Sequence, residues 1–193
     1  MQASAATTRR GKGLTRMVVA AAAVELVEAE GIKALSMRRL AARLGVEAMS
    51  LYGHVTNRHD LLMAMNDWVL AGVASHSQAS ANPLEDALSF VRELRDALVS
   101  HPNTARLFAM NMSLQDSFAT QVLTARALEI LLRMDLDPPT AARVFGQCLS
   151  FVIGAVLLEV AIVQTGGPGA EVYDPALAFE EGVMALLSAT GNR

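Results

Sequence analysis

Apolar residues recur at helical spacing along most of the chain. Between Leu14 and Glu30 they repeat every three or four residues, and Gly31 ends the predicted helix. A second predicted helix begins at the cap Ser36 and runs to Leu44, where Gly45 supplies the positive φ of a helix end. A third runs from Ala48 to His54 after a tight turn. Two short helices joined by a glycine turn are typical of a helix-turn-helix.

The rest of the chain shows the same periodicity and no alternating strand pattern. Asn57 and Asp60 form a capping arrangement for a helix that runs to about Ser75, and a polar stretch then leads to Pro83. Further helices are predicted over Pro83 to His101, Asn103 to Asn111, Leu114 to Met134, Pro138 to Gln164 and Pro175 to Ala189. The run 166–169 is glycine-rich and is predicted to be a loop. We therefore predict an all-α fold.

Charge is divided unevenly between the two ends of the chain. The net charge of the 193 residues is -3, but residues 1–60 carry nine basic and five acidic side chains. The remainder carries seven basic and fourteen acidic ones. Positive charge that can meet phosphates is therefore concentrated beside the helix-turn-helix. Residues 1–13 are predicted to be a flexible basic arm, which either touches DNA or is plain disorder.

The cluster Arg38, Arg39, Arg43 and Arg58 favours DNA binding over the alternative of an ordinary helical hairpin in a core. The second of the two short helices turns small and polar side chains outward, a shape that lets its backbone approach base edges in a major groove. Arg43 is equally explained as a solvated charge on a helix surface.

The segment GIKALSMRRLAARLGVEAMSLYGHVTNRHDLL, residues 31–62, resembles the tetracycline-repressor-type transcriptional regulators. Members of that family are all-helical homodimers. The resemblance implies an N-terminal three-helix DNA-binding domain at residues 14–60 and a larger helical effector-binding and dimerisation domain at residues 61–193. LRDALVSHP and FVIGAVLLE resemble the tetracycline-repressor branch more loosely.

The resemblance also implies which residues meet DNA. Phosphate contacts fall to Tyr52, His54, Arg58 and Ser36. Bases are read by Arg38, bidentate to a guanine, and by Ala48, Met49 and Ser50. Gly53 replaces the bulkier residue often found at its position, which removes one possible contact. Ala48 is open to the alternative that it only keeps the helix close to the DNA.

An apolar pocket is expected in the second domain, since thioethers and aromatic rings adapt to irregular apolar ligands. The candidate ligand-binding residues are Phe108, Met110, Met112, Phe118, Phe145, Gln147 and Phe151. Core packing explains the apolar members equally well. The second domain has only His76 and His101, so sensing of a histidine-bound magnesium–drug complex, as in the tetracycline repressor, is not expected. No cofactor and no metal site is predicted.

Residues Val144 to Val163 are long and apolar enough to suggest a membrane span, but Gln147, Ser150 and Glu159 interrupt them. A helix that is apolar almost all round is better explained by packing on several sides at once. We predict that the Pro138–Gln164 and Pro175–Ala189 helices form a four-helix dimer bundle, as the family does.

Catalysis has little support, because the sequence shows no nucleophile triad, phosphate-binding glycine loop or metal-ligand spacing. The single cysteine, Cys148, is interpreted as a small buried hydrophobe. The helix-turn-helix and the family resemblance together imply a cytoplasmic homodimeric repressor that binds a palindromic operator and is released by a small apolar effector. The rival hypotheses are a helical protein that binds or sequesters small molecules without operator binding and, more remotely, a small helical enzyme.

Overall fold

A computed structural model describes residues 13–75, 79–110, 116–165 and 174–188. These residues form helices and short connections without a strand among them, so the all-α fold class is confirmed. The helices are α1 (Arg16–Glu30), α2 (Met37–Leu44), α3 (Ala48–Leu51), α4 (Arg58–Ser75), α5 (Pro83–Val99), α6 (Pro102–Ala109), α7 (Phe118–Leu132), α8 (Pro138–Thr165) and α9 (Pro175–Ser188). A short 3-10 turn, Ile32–Ala34, joins α1 to α2. Residues 1–12, Met112, Leu114 and the 166–169 run lie outside the described ranges.

Local capping explains where the first helices begin and end. The Ser36 hydroxyl accepts from the Arg39 amide at 3.3 Å, and Gly45 has the left-handed φ of 68° that the sequence predicts. The amide of Asp60 donates to Asn57 Oδ1 at 2.9 Å at the start of α4. Each of these signals lies within one helical turn of the helix end that it fixes.

Two helices have an end that differs from the prediction by three residues or more. α3 ends at Leu51 instead of His54, because Tyr52 N bonds to the Met49 carbonyl and His54 N to the Leu51 carbonyl, which is a tighter turn than an α-helix makes. α7 begins at Phe118 instead of Leu114, because the Ser117 hydroxyl caps it by accepting from Thr120 N at 3.2 Å.

α4 connects the N-terminal part of the chain to the remainder. It packs against α1 on one side and against α5 and α7 on the other. Leu40, Leu51 and Val55 from the short helices and turn are fully buried in the cluster that also includes Leu61 and Met65 of α4. The predicted boundary at residue 60 falls inside this helix, and the division into two domains stays a prediction.

α8 has one buried and one exposed face. Its buried positions repeat every four residues against α5, α7 and α9, namely Val144, Cys148, Val152, Val156 and Val160. Among the described residues, the stretch Pro138–Ile162 is the one helix long and apolar enough to span a membrane by length and composition. Glu159 within it bonds to Arg95 of α5 at 2.7 Å. This charged contact is typical of a helix packed against its own protein.

Candidate nucleic-acid interface and cavity

Most of the predicted DNA-contacting side chains lie on one exposed region formed by α2, α3 and the start of α4. Met49 is 75% exposed and Tyr52 45% exposed. Ala48 and His54 are half-buried, whereas the others are open to solvent, namely Ser36, Arg38, Ser50, Gly53 and Arg58. Steric crowding does not require a glycine at position 53, since a Cβ there would meet its nearest atom, the Ser50 carbonyl oxygen, at 3.6 Å.

The four arginines of the predicted cluster differ in their partners. Arg39 forms an ion pair with Glu30 of α1, and Arg43 lies 3.2 Å from Glu25. Arg38 and Arg58 have no acidic partner in the part of the chain that the structure describes. Arg58 also stands in the first turn of α4, where backbone amides add positive potential. The cluster thus divides into two arginines that hold α2 against α1 and two with open guanidinium groups.

Arg16 and Asp60 fix α3 relative to α1 and α4. One guanidinium nitrogen of Arg16 lies 2.6 Å from the Asp60 carboxylate, and the other donates to the His54 carbonyl at 3.2 Å. Asp60 also accepts from the Thr56 amide at 2.7 Å. The hydrogen bond from Arg16 is the main cause that lowers the pKa of Asp60 from 3.8 to about 2, although partial burial opposes it. The sequence interpretation missed Arg16, because its partners are 38 and 44 residues away.

A cavity of about 200 Å³ lies in the second part of the molecule, between α4, α5, α6, α7 and α8. Its lining is apolar apart from Asn66, Thr120 and Thr124. The apolar members are Leu70, Phe90, Leu94, Leu98, Ala105, Phe108, Ala109, Leu123, Phe145, Leu149, Ile153, Val156 and Leu157.

The cavity includes two of the predicted ligand-binding residues, Phe108 and Phe145. Phe118 is 74% exposed, Met110 is 79% exposed and Gln147 is also exposed, all outside the lining, and Met112 lies outside the described residues. Phe151 stacks on Phe179 of α9 with 5.8 Å between ring centroids. Helical periodicity identified α7 and α8 as sources of a pocket but not the faces that they turn towards it.

The DNA-facing and cavity-lining parts are joined by Glu28 of α1. Its carboxylate accepts from the Thr104 amide at 2.8 Å, the Thr104 hydroxyl at 2.6 Å and the Asn103 amide at 3.1 Å. His101, at the N-cap position of α6, makes no side-chain capping bond. Glu28 therefore caps the helix that carries the cavity residues Ala105 and Phe108.

Neither a reactive cysteine nor a metal-binding cluster is indicated among the described residues. Burial raises the pKa of the Cys148 thiol, which fits a buried apolar role. Within the described ranges no three His, Cys, Asp or Glu side chains are grouped to hold a metal ion. His101 is absent from the cavity lining and packs edge-on against Trp68 at 5.5 Å between ring centroids.

Comparison with known sequences places the chain among bacterial regulators. The profile of bacterial regulatory proteins, tetR family, matches residues 19–65. An HTH-type transcriptional regulator of Saccharopolyspora erythraea is 39% identical over 94 residues, which is 49% of this chain and 40% of that protein. Tetracycline repressor protein class G of Vibrio anguillarum is 30% identical over 152 residues, 77% of this chain and 70% of that protein. The chain thus spans less than half of the first relative and about two thirds of the second.

Solved structures match over a larger share of the chain. BioQ with its natural double-stranded DNA operator has a TM-score of 0.77 and 25% identity over 94% of this chain and 100% of that one. The Streptomyces coelicolor TetR family protein ActR in complex with actinorhodin has a TM-score of 0.76 and 25% identity, covering 93% of this chain and 97% of its own. The match in fold extends through the helices that line the cavity.

Proposed function

The chain belongs to the tetR family of bacterial regulatory proteins, and from this membership we propose that it is a ligand-responsive transcriptional repressor. It binds a palindromic double-stranded DNA operator as a homodimer in the cytoplasm, and a small, largely apolar effector releases it. Members of the family are regulators and not enzymes, which confirms the expectation that the chain is not an enzyme.

The observation that carries operator binding is the exposed region of α2, α3 and the α4 N-terminus. Met49 and Ser50 of α3 are exposed and free to meet base edges, while Arg38 and Arg58 are exposed without acidic partners among the described residues. An unpaired guanidinium keeps its full charge and hydrogen-bonding capacity for phosphate or guanine. BioQ, similar in fold, binds a DNA operator.

Effector binding is supported by the apolar cavity and by ActR, a related fold that binds actinorhodin. The cavity touches α4, whose first turn carries Arg58, and α6, which Glu28 ties to α1. A ligand that prefers one position of these helices changes the distance between the two helix-turn-helix units of a dimer. A ligand that binds both positions with equal affinity does not release the DNA.

The dimer is supported by the exposed faces of α8 and α9. Gly146, Ser150, Gly154 and Leu158 repeat every four residues along α8, all open to solvent in the single chain. On α9, Leu177 is 56% exposed and Met184 37% exposed. Small side chains allow close approach of two helices, and the apolar ones gain by burial. Two recognition helices set roughly 34 Å apart then fit successive major-groove faces.

Selection of bound fragments from random-sequence DNA by the purified protein, at two salt concentrations, tests this function. The expected result is an enriched palindrome whose recovery falls at the higher salt, because phosphate contacts release counterions. Arg38→Ala should enrich a site with relaxed preference at one position in each half. Absence of any enriched sequence contradicts the proposal and favours the alternative, a helical small-molecule-binding protein without operator binding.

A further inference from the structure

The polar groups of the cavity all lie on one wall. Asn66 projects from α4, and Thr120 and Thr124 lie one turn apart on α7. The remaining lining residues are apolar, and no charged side chain is among them. A ligand in this cavity therefore meets hydrogen-bonding groups at one end only.

Proton counting fixes how Asn66 is oriented. Its amide nitrogen lies 2.7 Å from Ser117 Oγ and 2.8 Å from Thr120 Oγ1, and these two hydroxyl oxygens are 2.9 Å apart. If the amide oxygen of Asn66 took this position, only the two hydroxyl protons would be available for three hydrogen bonds. With the nitrogen in this position, its two protons are donated to the two hydroxyl oxygens, and the Ser117 hydroxyl donates to Thr120 Oγ1, so that all three bonds are made.

This arrangement leaves three polar functions for the cavity. Asn66 Oδ1 accepts no hydrogen bond from the described residues, although the side chain is only 4% exposed. The Thr120 hydroxyl proton takes no part in the three hydrogen bonds among Asn66, Ser117 and Thr120. No partner within the described ranges bonds to the Thr124 hydroxyl. The wall thus offers one buried acceptor beside hydroxyl donors.

From these contacts we infer that the effector is an uncharged, mainly apolar compound that carries a hydroxyl group at one end. This inference rests on the effector-binding function proposed above. The ligand hydroxyl donates to Asn66 Oδ1 and accepts from the hydroxyl of Thr124. Its apolar body lies among Leu94, Phe108 and Phe145.

Size and charge narrow the class further. About 200 Å³ is below the roughly 300–1,000 Å³ of pockets for drug-sized ligands, so the compound is small. A carboxylate or ammonium group would lose its hydration with no opposite charge in the lining to replace it. Ionised compounds of the same shape are therefore rejected.

Isothermal titration calorimetry of the full chain with decanol, decyl methyl ether and decanoate tests this class. The ether keeps an acceptor but cannot donate to Asn66, and decanoate adds a charge. Decanol should bind about 5-fold more tightly than the ether, the value of one net hydrogen bond. Decanoate should bind at least about 100-fold more weakly than decanol, because its charge is buried unpaired.

Two variants assign the contacts. Asn66→Leu should bring the alcohol-to-ether affinity ratio close to one, and this ratio is insensitive to any loss of folded protein because both compounds meet the same sample. Thr124→Val leaves the hydrogen bonds among Asn66, Ser117 and Thr120 intact. It should weaken the binding of both compounds about 3-fold and leave the ratio of their affinities unchanged. Thr140→Val, in the first turn of α8 outside the cavity lining, is the matched control and should change neither.

Equal binding of alcohol and ether by the unaltered protein overturns the inference, as does tight binding of decanoate. Failure of every probe to bind also overturns the inference about the effector. If random-sequence selection still yields a palindrome in that case, the proposed operator binding is unaffected. The predicted order of affinities without an enriched palindrome supports the cavity chemistry and contradicts the repressor function.

Discussion

Arg38 and Arg58 are chemically alike but lie at positions that favour different partners. Arg38 is on α2 beside the recognition helix, and Arg58 is in the first turn of α4. Arg58→Ala should weaken binding to operator and to random DNA alike and lower the salt dependence by about one phosphate contact. Arg38→Ala should cost about 1–3 kcal/mol on the operator and little on random DNA. Fluorescence anisotropy over a salt series measures both effects.

Arg43→Ala is the control for these variants, since Arg43 already lies 3.2 Å from Glu25 and is expected to have the smallest effect on DNA affinity. Equal losses on operator and random DNA in both Arg38→Ala and Arg58→Ala would contradict the division between base and phosphate contacts.

Asp60 should make the stability of the junction between α1, α3 and α4 dependent on pH. Its pKa is about 2 in the folded chain and 3.8 ordinarily, so its ion pair with Arg16 stabilises the fold above about pH 4. That contribution is lost as the pH falls through about 2. Asp60→Asn should therefore lower stability at neutral pH by about 1 kcal/mol, discounted because Arg16 is 39% exposed.

Urea unfolding of Asp60→Asn and the unaltered chain at several pH values measures this difference. The gap between them should narrow between about pH 4 and pH 2. Asp67→Asn is the comparison for any general effect of a lost carboxylate in α4. It removes the charge but keeps an oxygen that can accept from the Ala119 amide, now 2.8 Å from the carboxylate, and it does not touch Arg16. A gap that stays constant down to pH 2 would show that the Asp60 carboxylate does not stabilise this junction.

Residues whose role depends on neighbours in sequence could be predicted, whereas residues whose role depends on distant partners could not. Ser36, Gly45 and Asn57 act on backbone groups within one turn, and the sequence identifies all three. Asn66 is 51 residues from Ser117, and a lone asparagine in an apolar helix gives no sign of that contact.

At the scale of elements, α6 is a short helix whose N-terminus is capped from another helix. Glu28→Ala leaves the amide and hydroxyl of the fully buried Thr104 without their acceptor, which should cost about 1–3 kcal/mol of stability. Because the same carboxylate joins α1 to the cavity-lining helix, the variant should also uncouple ligand binding from operator release. Thermal unfolding and operator titration with and without the effector measure the two effects.

Glu25→Ala separates this cap from a general loss of negative charge on α1. Glu25 lies on the same helix but meets the half-exposed Arg43, so its loss should cost less than about 1 kcal/mol and leave the ligand response intact. If Glu28→Ala lowered stability yet kept a full response to ligand, Glu28 would be a structural cap only.

The bounds of elements could be predicted where the cap is a local sequence signal. Helical periodicity continues through Tyr52 and His54, so the pattern extends α3 beyond its observed end at Leu51. The tightening there depends on bonds from Arg16 to the His54 carbonyl and on burial of Val55, both set by packing against other helices. Packing of this kind is invisible in a single helical pattern.

At the scale of the whole molecule, two glycines distinguish packing within the chain from the open face of α8 that the proposed dimer uses. A Cβ on Gly182 of α9 would lie 2.1 Å from Phe151 Cζ, so any other residue there would displace the Phe151 ring of α8. A Cβ on Gly154 of α8 would meet no described atom within 4 Å. The apolar periodicity of α8 could be predicted from the sequence, but its division into inner and outer faces required the folded chain.

Gly154→Arg therefore tests the dimer without disturbing the single chain. The substitution fits the monomer and raises helix propensity by about 0.5–1 kcal/mol, so the folded protomer should be retained. Across a close-packed two-fold interface it places two bulky like charges together, and light scattering should show a monomer that no longer binds the palindrome. Gly72→Arg on α4 is the matched control, since a Cβ there also meets no described atom within 4 Å, and it should remain dimeric. A Gly154→Arg protein that stays a dimer would place the subunit contact on another face.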